Sequence, residues 1–271
     1  MIDLTRARSV AVAAAEEAGA VLAPGARFSV QAKGHDDLVT DLDHRAEGII
    51  LGRLRDAFPD HAVLAEESGR SGDGDALWVV DPLDGTHNLA IGLPAYSVGI
   101  ALCLDGAPVL GVVHDPVTRL TWSAVRGDGP RGPGDVPLAT EPDRPGSAPI
   151  VSYVQGYPVG RTDPTALAYK HVLGARSRRL LQLWSPQLTW IMLARGVIDA
   201  VIGYRTGAVD LPAGALIATE AGAVLTALDG GPFELSMEHT EYSFIAARPG
   251  RVAPLVALLA EASALELPPL S

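Results

Sequence analysis

Cysteine is nearly absent. The chain of 271 residues has one, Cys103, in the apolar stretch "GIALCL". No disulfide framework is possible, so the thiol reads as structural and the setting as a reducing cytoplasm. Long apolar runs are also missing. Hydrophobic residues make up 48% of the chain, yet no run reaches the roughly 18 residues of a membrane span. The early stretch "SVAVAAAEEAGAVL" carries Glu16 and Glu17, which argues against a signal peptide. Positive charge is scarce: 21 Lys and Arg stand against 32 Asp and Glu, a net charge of -11. That balance argues against nonspecific nucleic-acid binding, which needs a basic face. The cluster Arg176, Arg178 and Arg179 reads as a solvated strand edge. Aromatic residues are 5% and form no platform for stacked bases, which disfavours a nuclease. Gly127, Gly129 and Gly132 spell G-x-G-x-x-G, but Pro130 and Pro133 prevent a helix from opening there, so the dinucleotide reading fails. No G-x-x-x-x-G-K-[ST] loop and no G-x-S-x-G elbow occurs.

What is present is a mixed pattern. Residues 3–22 and 41–58 have helical spacing, and Pro59 stops the second. "AVLAEESG" and "ALWVV" read as strands running into acids. "YSVGIALCL", "APVLGVVH" and "LTWSAV", separated by turn signals, read as an antiparallel meander. Residues 127–148, rich in Gly and Pro, read as a loop and a subdomain boundary. Beyond it "PIVSYV", "RLLQLW", "IDAVIGY", "AVLTAL" and "YSFIAA" read as strands. "PQLTWIMLARG", "LPAGALIATEAG" and "VAPLVALLAEASAL" read as helices. These patterns predict an α+β or layered α/β architecture. One catalytic unit is expected, with an N-terminal α+β subdomain (1–140) carrying most of the acids and a C-terminal α/β subdomain (141–271) carrying Asp210.

Four acidic segments end apolar runs: "LAEESG" (Glu66, Glu67), "WVVDPLDGT" (Asp81, Asp84), "GAVDLPAG" (Asp210) and "KGHDDLVTDLD" (Asp37, Asp41, Asp43). Strand ends gather at one sheet edge, so these carboxylates could converge. At an effective dielectric near 20, each like-charged pair at about 4 Å costs about 4 kcal/mol. A hard cation removes that cost, and an all-oxygen set implies Mg²⁺, Mn²⁺ or Ca²⁺ rather than zinc. None of the seven histidines has metal-ligand spacing. A chain turning at Gly85 into a helix at Thr86 offers free backbone N–H groups to phosphate. Carboxylates beside such a cradle suit phosphoryl transfer. Singly, each motif also has a structural reading: Asp-Pro as a turn, Asp before a helix as an N-cap. The conjunction carries the weight.

With these residues in place, the sequence resembles the inositol monophosphatase family within the Mg²⁺-dependent, lithium-sensitive phosphatases. "DPLDGT" followed by "N…GLP", the "EES" segment and "VDLPAGALIATEAG" match three signature regions in order. "K…DLVTDLD", "GVVHDP" and "LARGVIDA" match further stretches, over nearly the whole chain. The resemblance implies a layered αβαβα sandwich, usually a homodimer, that hydrolyses a small phosphorylated alcohol with two to three Mg²⁺ ions. It implies that Glu66 and Asp81, with the Leu83 carbonyl, hold a first metal and that Asp81, Asp84 and Asp210 hold a second. A third, weaker ion would touch Glu66. Gly85 and Thr86 would bind phosphate, and Thr86 with Asp43 would orient the attacking water. Lys33 would sit on a loop over the site, with Asp41 and Glu67 nearby.

The departures fall on the alcohol side. His87 follows the Gly-Thr pair where Thr or a similar residue is usual, and Val209 replaces a frequent tryptophan. Trp184 stands where glycine usually precedes the serine, here Ser185. Inositol-specific members carry an acid seven residues before the last metal aspartate, and this chain has Gly203. Tyr204 and Arg205 follow instead. Arg205 is expected either to favour a second anionic group or to point to solvent, and Trp184 either to narrow the pocket or offer a stacking face, or to be buried packing. Candidate substrates are an inositol or sugar phosphate, histidinol phosphate, or a nucleotide or bisphosphate. A catalytically silent metal-binding homologue is the competing function.

Overall fold

The computed structural model describes residues 2–34, 37–141 and 148–265. The chain up to residue 141 supplies α1 (Leu4–Val21), the hairpin β1 (Val30–Gly34) and β2 (Asp37–Thr40), α2 (Asp41–Ala57), and strands β3 (Ala62–Ala65), β4 (Gly69–Ser71) and β5 (Ala76–Asp84). The short helix α3 (Thr86–Ala90) follows, then β6 (Ser97–Leu104), β7 (Ala107–Asp115), β8 (Leu120–Val125) and β9 (Gly129–Arg131). From residue 148 onward come β10 (Ile150–Gln155), α4 (Pro164–Arg176), β11 (Arg179–Leu181), α5 (Pro186–Ala194), β12 (Ala200–Gly207), α6 (Pro212–Glu220), β13 (Val224–Thr226), β14 (Glu241–Ala247) and α7 (Val252–Ser263).

The elements stack in five layers. Strands β4-β3-β5-β6-β7-β8-β9 form one sheet and β11-β10-β12-β14-β13 a second. α1 and α2 cover the outer face of the larger sheet, α5 and α6 lie between the sheets, and α4 and α7 cover the far face of the smaller one. This is the expected αβαβα sandwich. Strand β5 explains how the layers are cemented. It is apolar without alternation because both of its faces are buried. Trp78 and Val80 join Ile50, Leu54 and Ile100 beneath the outer helices. Leu77 and Val79 face Ile191, Ile217 and Val201 in the middle layer. Each such side chain contributes about 1.5–3 kcal/mol by leaving water. Cys103 is buried in the same middle layer, as a structural thiol should be.

Several elements differ from the sequence reading. β5 does not stop at Asp81 but continues to Asp84. Of "RLLQLW" and "AVLTAL" only three residues each pair as strand. Residues 129–131 of the expected loop form β9, and residues 142–147 of it lie outside the described residues. Helix α4 and the β1–β2 hairpin have no counterpart among the expected elements. Among the described residues no helix is long and apolar enough to cross a membrane.

Candidate active site

β3 and β5 are parallel, with Ala65 opposite Val80. The next residues, Glu66 and Asp81, therefore leave the sheet side by side, and the Glu66 amide donates to the Val80 carbonyl at 3.1 Å. In a regular strand, residues three apart point to opposite faces. Asp81 and Asp84 escape that rule through a bulge. Asp81 pairs with Gly99 and Asp84 with Ser97, so Pro82 and Leu83 face a single residue. Pro82 has no N–H for the ladder, and a bulge is where a central strand tolerates it.

Asp84 is held by three donors that all fall on Oδ2: the Ser97 and Ser185 hydroxyls at 2.9 and 2.7 Å and the Gln187 amide at 2.9 Å. No donor among the described residues falls on Oδ1. Gln187 also accepts from the Gly214 amide at 3.0 Å, which ties the start of α5 to the start of α6. Asp210 precedes α6 but does not cap it. The cap position is Leu211, with no side-chain bond. The N-cap reading of Asp210 therefore fails, and its carboxylate is left for the cleft.

The chain then turns at Gly85, with φ at +95°, into α3. A left-handed turn of this kind favours glycine. The Thr86 hydroxyl lies 2.9 Å from Asp43 Oδ1 and 3.0 Å from the Leu83 carbonyl. Asp43 Oδ2 accepts from the Thr40 amide and hydroxyl at 2.8 and 2.6 Å, completing a capping box on α2. Asp43 thus starts a helix with one oxygen and holds Thr86 with the other. Lys33, on β1, reaches Glu67 at 2.7 Å and Glu66 at 3.6 Å. Burial works against its charge, but the Glu67 bond and the nearby acids raise its proton affinity overall. Asp41 is occupied away from the cleft, accepting from Ser29.

The electrostatics follow from packing four acids together. Burial, then the charge of Asp210, pushes Glu66 up to about 8. Burial pushes Asp84 up to about 7 against its three hydrogen bonds. Burial, then Asp84, pushes Asp210 up to about 7. Asp81 lies well above the carboxylate range, through burial and then Glu66, Asp84 and Asp210. Both Asp81 oxygens are buried without a protein donor. Among the described residues no group of three acids is spaced to hold a metal ion. A buried carboxylate with no donor, ringed by acids, fits a hard divalent cation.

Arg205 is a correction. Its guanidinium is taken up by Glu241 at the surface, Nε to Oε2 at 2.7 Å, so it is not free to receive a substrate anion as the sequence suggested. Its backbone matters more. β12 and β14 lose register between Gly203 and Thr206, and Arg205 sits at φ +51°. Its carbonyl presses on Gly156, where a Cβ would collide with it. Gly203 offers no room for an acid either, since a side chain there would meet the Phe244 ring. Trp184 is not buried: it is 57% exposed, with φ at +54°. His87 lies beside it, ring centroids 5.4 Å apart.

Sequence reasoning missed Glu47, Asn88, Gln187 and Tyr157. Buried Glu47 accepts from the Glu67 amide at 2.9 Å and fixes the turn after β3. Asn88 donates to the Ala95 and Leu183 carbonyls at 2.6 and 2.5 Å. The asparagine is in view as part of "N…GLP", but its partners are too distant in sequence to be read there.

The fold and cleft together define a layered αβαβα protein with a buried acidic cleft at the end of β3 and β5. The model of the inositol monophosphatase family matches residues 3–264, and the chain belongs to that family. It is 34% identical over 239 residues to the Nus factor SuhB of Pasteurella multocida, covering 85% of this chain and 88% of that one. It is 33% identical over 244 residues to inositol monophosphatase 1 of Solanum lycopersicum, covering 84% and 87%. The crystal structure of the extragenic suppressor protein suhB from Bartonella henselae superposes with a TM-score of 0.83 at 28% identity, covering 94% of this chain and 98% of that one.

Proposed function

We propose that the protein is a Mg²⁺-dependent phosphomonoesterase acting on a small phosphorylated alcohol. The observation that carries this reading is Asp81, with both oxygens buried and donorless among Glu66, Asp84 and Asp210. These four acids and the Leu83 carbonyl would hold the metal, two to three ions by family resemblance, with Mn²⁺ as a substitute. Bound Mg²⁺ supplies a Lewis acid and lowers the pKa of a water nucleophile. The protein's own groups do the positioning. The Gly85 and Thr86 amides receive phosphate oxygens at the turn into α3. The Thr86 hydroxyl, donating to Asp43, keeps its lone pairs for a proton of the attacking water. Glu66, whose side chain is 29% exposed, is the acid of the set that lies open to that water, while Asp81 and Asp84 are shut in. Water oxygen bonds to phosphorus, the ester P–O bond breaks, and the alcohol leaves with one of the water's protons while the other stays with the phosphate. Lys33 closes over Glu66 and Glu67 from the hairpin.

Retention of every acid and of Thr86 argues against a silent homologue. Composition and family resemblance also support a cytoplasmic homodimer, lithium sensitivity, and no nucleic-acid or membrane partner. The test is phosphate release from a panel of phosphomonoesters. Turnover should require Mg²⁺ and vanish with chelator. Full activity after exhaustive chelation overturns the reading.

A further inference from the structure

Three rings meet beside the acidic cleft: His87, Tyr157 and Trp184. Their centroids lie 5.4 to 6.3 Å apart pairwise, at interplanar angles of 34° to 67°. Tyr157 and Trp184 are each 57% exposed, so two large apolar faces stand in solvent at one spot. In a chain with so few aromatics, this is a concentration that packing does not require. The buried Nε2 of His87 has no hydrogen-bond partner.

Two of the rings are delivered by residues of the site. His87 directly follows Thr86. Trp184 directly precedes Ser185, which donates to Asp84, and its preceding carbonyl is held by Asn88. Its own carbonyl lies against the Gly85 turn, 3.3 Å from where a Cβ would stand. The segment is thus pinned on both sides, and Trp184 is held in left-handed backbone that strains any residue but glycine. Tyr157 follows Gly156, the residue pressed by the Arg205 carbonyl. Burial, then the charges of Asp37, Glu66 and Asp210, raises its proton affinity, which places its hydroxyl toward the acidic cleft. A strained, exposed tryptophan at a cleft mouth is poorly explained by stability.

We propose that these rings form the subsite for the leaving alcohol and select phosphomonoesters whose alcohol carries a planar aromatic ring, which stacks on Trp184 against Tyr157 and His87. The inference rests on the phosphatase reading and names its substrate class. It also fits what the rest of the cleft withholds, since Gly203 offers no acid for sugar hydroxyls and Arg205 no free cation.

The test uses three esters in Mg²⁺: benzyl phosphate, cyclohexylmethyl phosphate of similar bulk, and β-glycerophosphate. Benzyl phosphate should exceed cyclohexylmethyl phosphate in kcat/KM by about 5- to 10-fold, the factor that ring-on-ring contact supplies. Trp184→Gly should bring that ratio close to one, and Trp184→Phe should keep most of it. Because glycine suits the backbone there, Trp184→Gly should melt no lower than wild type, and up to a few degrees higher. Benzylphosphonate, titrated calorimetrically, should bind wild type more tightly than Trp184→Gly and show the same dependence without turnover. A benzyl-to-cyclohexyl ratio near one in the wild type, or one untouched by Trp184→Gly, overturns the inference alone. Turnover of none of the three esters overturns the phosphatase reading and the inference with it. A lower melting temperature for Trp184→Gly with an unchanged ratio would show a packing residue.

Discussion

Asp84→Asn separates what the acidic cleft does for folding from what it does for chemistry. The three donors on Asp84 all meet Oδ2. An asparagine can place its carbonyl oxygen there and keep all three bonds. Its amide nitrogen then takes the place of Oδ1, turning donor hydrogens toward the cation. In the metal-free protein the carboxylate is a burden, because burial has moved its pKa from an ordinary 3.8 to about 7. At about 1.4 kcal/mol per tenfold, ionising it in place would cost up to about 4 kcal/mol at neutral pH. Glu66, Asp81 and Asp210 share that repulsion, so removing one charge should return about 1–2 kcal/mol. For a chain of this size that is a rise in Tm of about 2–6 °C. The assay is thermal unfolding at pH 7.5 in chelator and again in excess Mg²⁺, with phosphate release alongside. Wild type should gain more from Mg²⁺ than the variant, since only ligand-competent protein is stabilised by mass action. Turnover of the variant should fall by more than about 100-fold, the loss of one charge-assisted contact of about 3 kcal/mol. A variant that melts clearly lower in chelator, or gains as much from Mg²⁺ as wild type, would refute the reasoning.

The remaining predictions use the same geometry. Thr86→Ala should lower kcat by roughly 100-fold through a misplaced water, with little change in the Mg²⁺ requirement; a change confined to that requirement would show that Thr86 does not orient the water. The metal-free protein should lose stability as pH rises from 6.5 to 8.5. In that window Glu66, Asp84 and Asp210, pushed up to about 8, 7 and 7, still hold protons that the unfolded chain has released near pH 4. The folded state then binds more protons, so stability falls with pH. Partly buried His61 and buried His114, lowered from 6.5, act below this window with the opposite sign. Saturating Mg²⁺ should flatten the slope, and a flat or rising Tm in chelator would refute it. Arg205→Ala should leave kcat/KM within about twofold for esters with and without a second anion, as expected for an exposed ion pair; selective loss of the doubly anionic ester would restore Arg205 to the pocket.

The fold was legible where apolar pattern alone decides the element. The two outer helices, the meander and the closing helix announce themselves by spacing. Helix α4 does not, because its buried face is Ala166, Ala168, Tyr169, Val172 and Leu173, and alanine contrasts weakly with solvent-facing neighbours. The β1–β2 hairpin pairs with no third strand among the described residues, and its short strands mix polar residues with Val30, Leu38 and Val39, so no apolar run marks it. β9 is three residues long with Pro130 inside it, and a proline there argues for a loop unless the edge position is known.

The acidic half of the site was legible for a physical reason. A carboxylate at the end of a buried run is costly unless something binds it, so Glu66, Asp81, Asp84 and Asp210 stand out in a single sequence. Their supports do not. Gln187, Glu47 and Asn88 act through bonds that span from 7 to 95 residues of chain, and nothing local marks them. The alcohol half fails differently. A substitution pattern identifies which residues have changed but not where their side chains go, and here backbone decides that. Read from sequence, Arg205 is the charged group that should matter and Tyr157 is unremarked. In the fold, the lost register at Gly203 to Thr206 sends the guanidinium to Glu241 and the carbonyl against Gly156. The same bulge therefore removes the arginine from the cleft and sets the tyrosine at its mouth. A side chain's type was readable from the letters, while its destination depended on one left-handed residue in a strand.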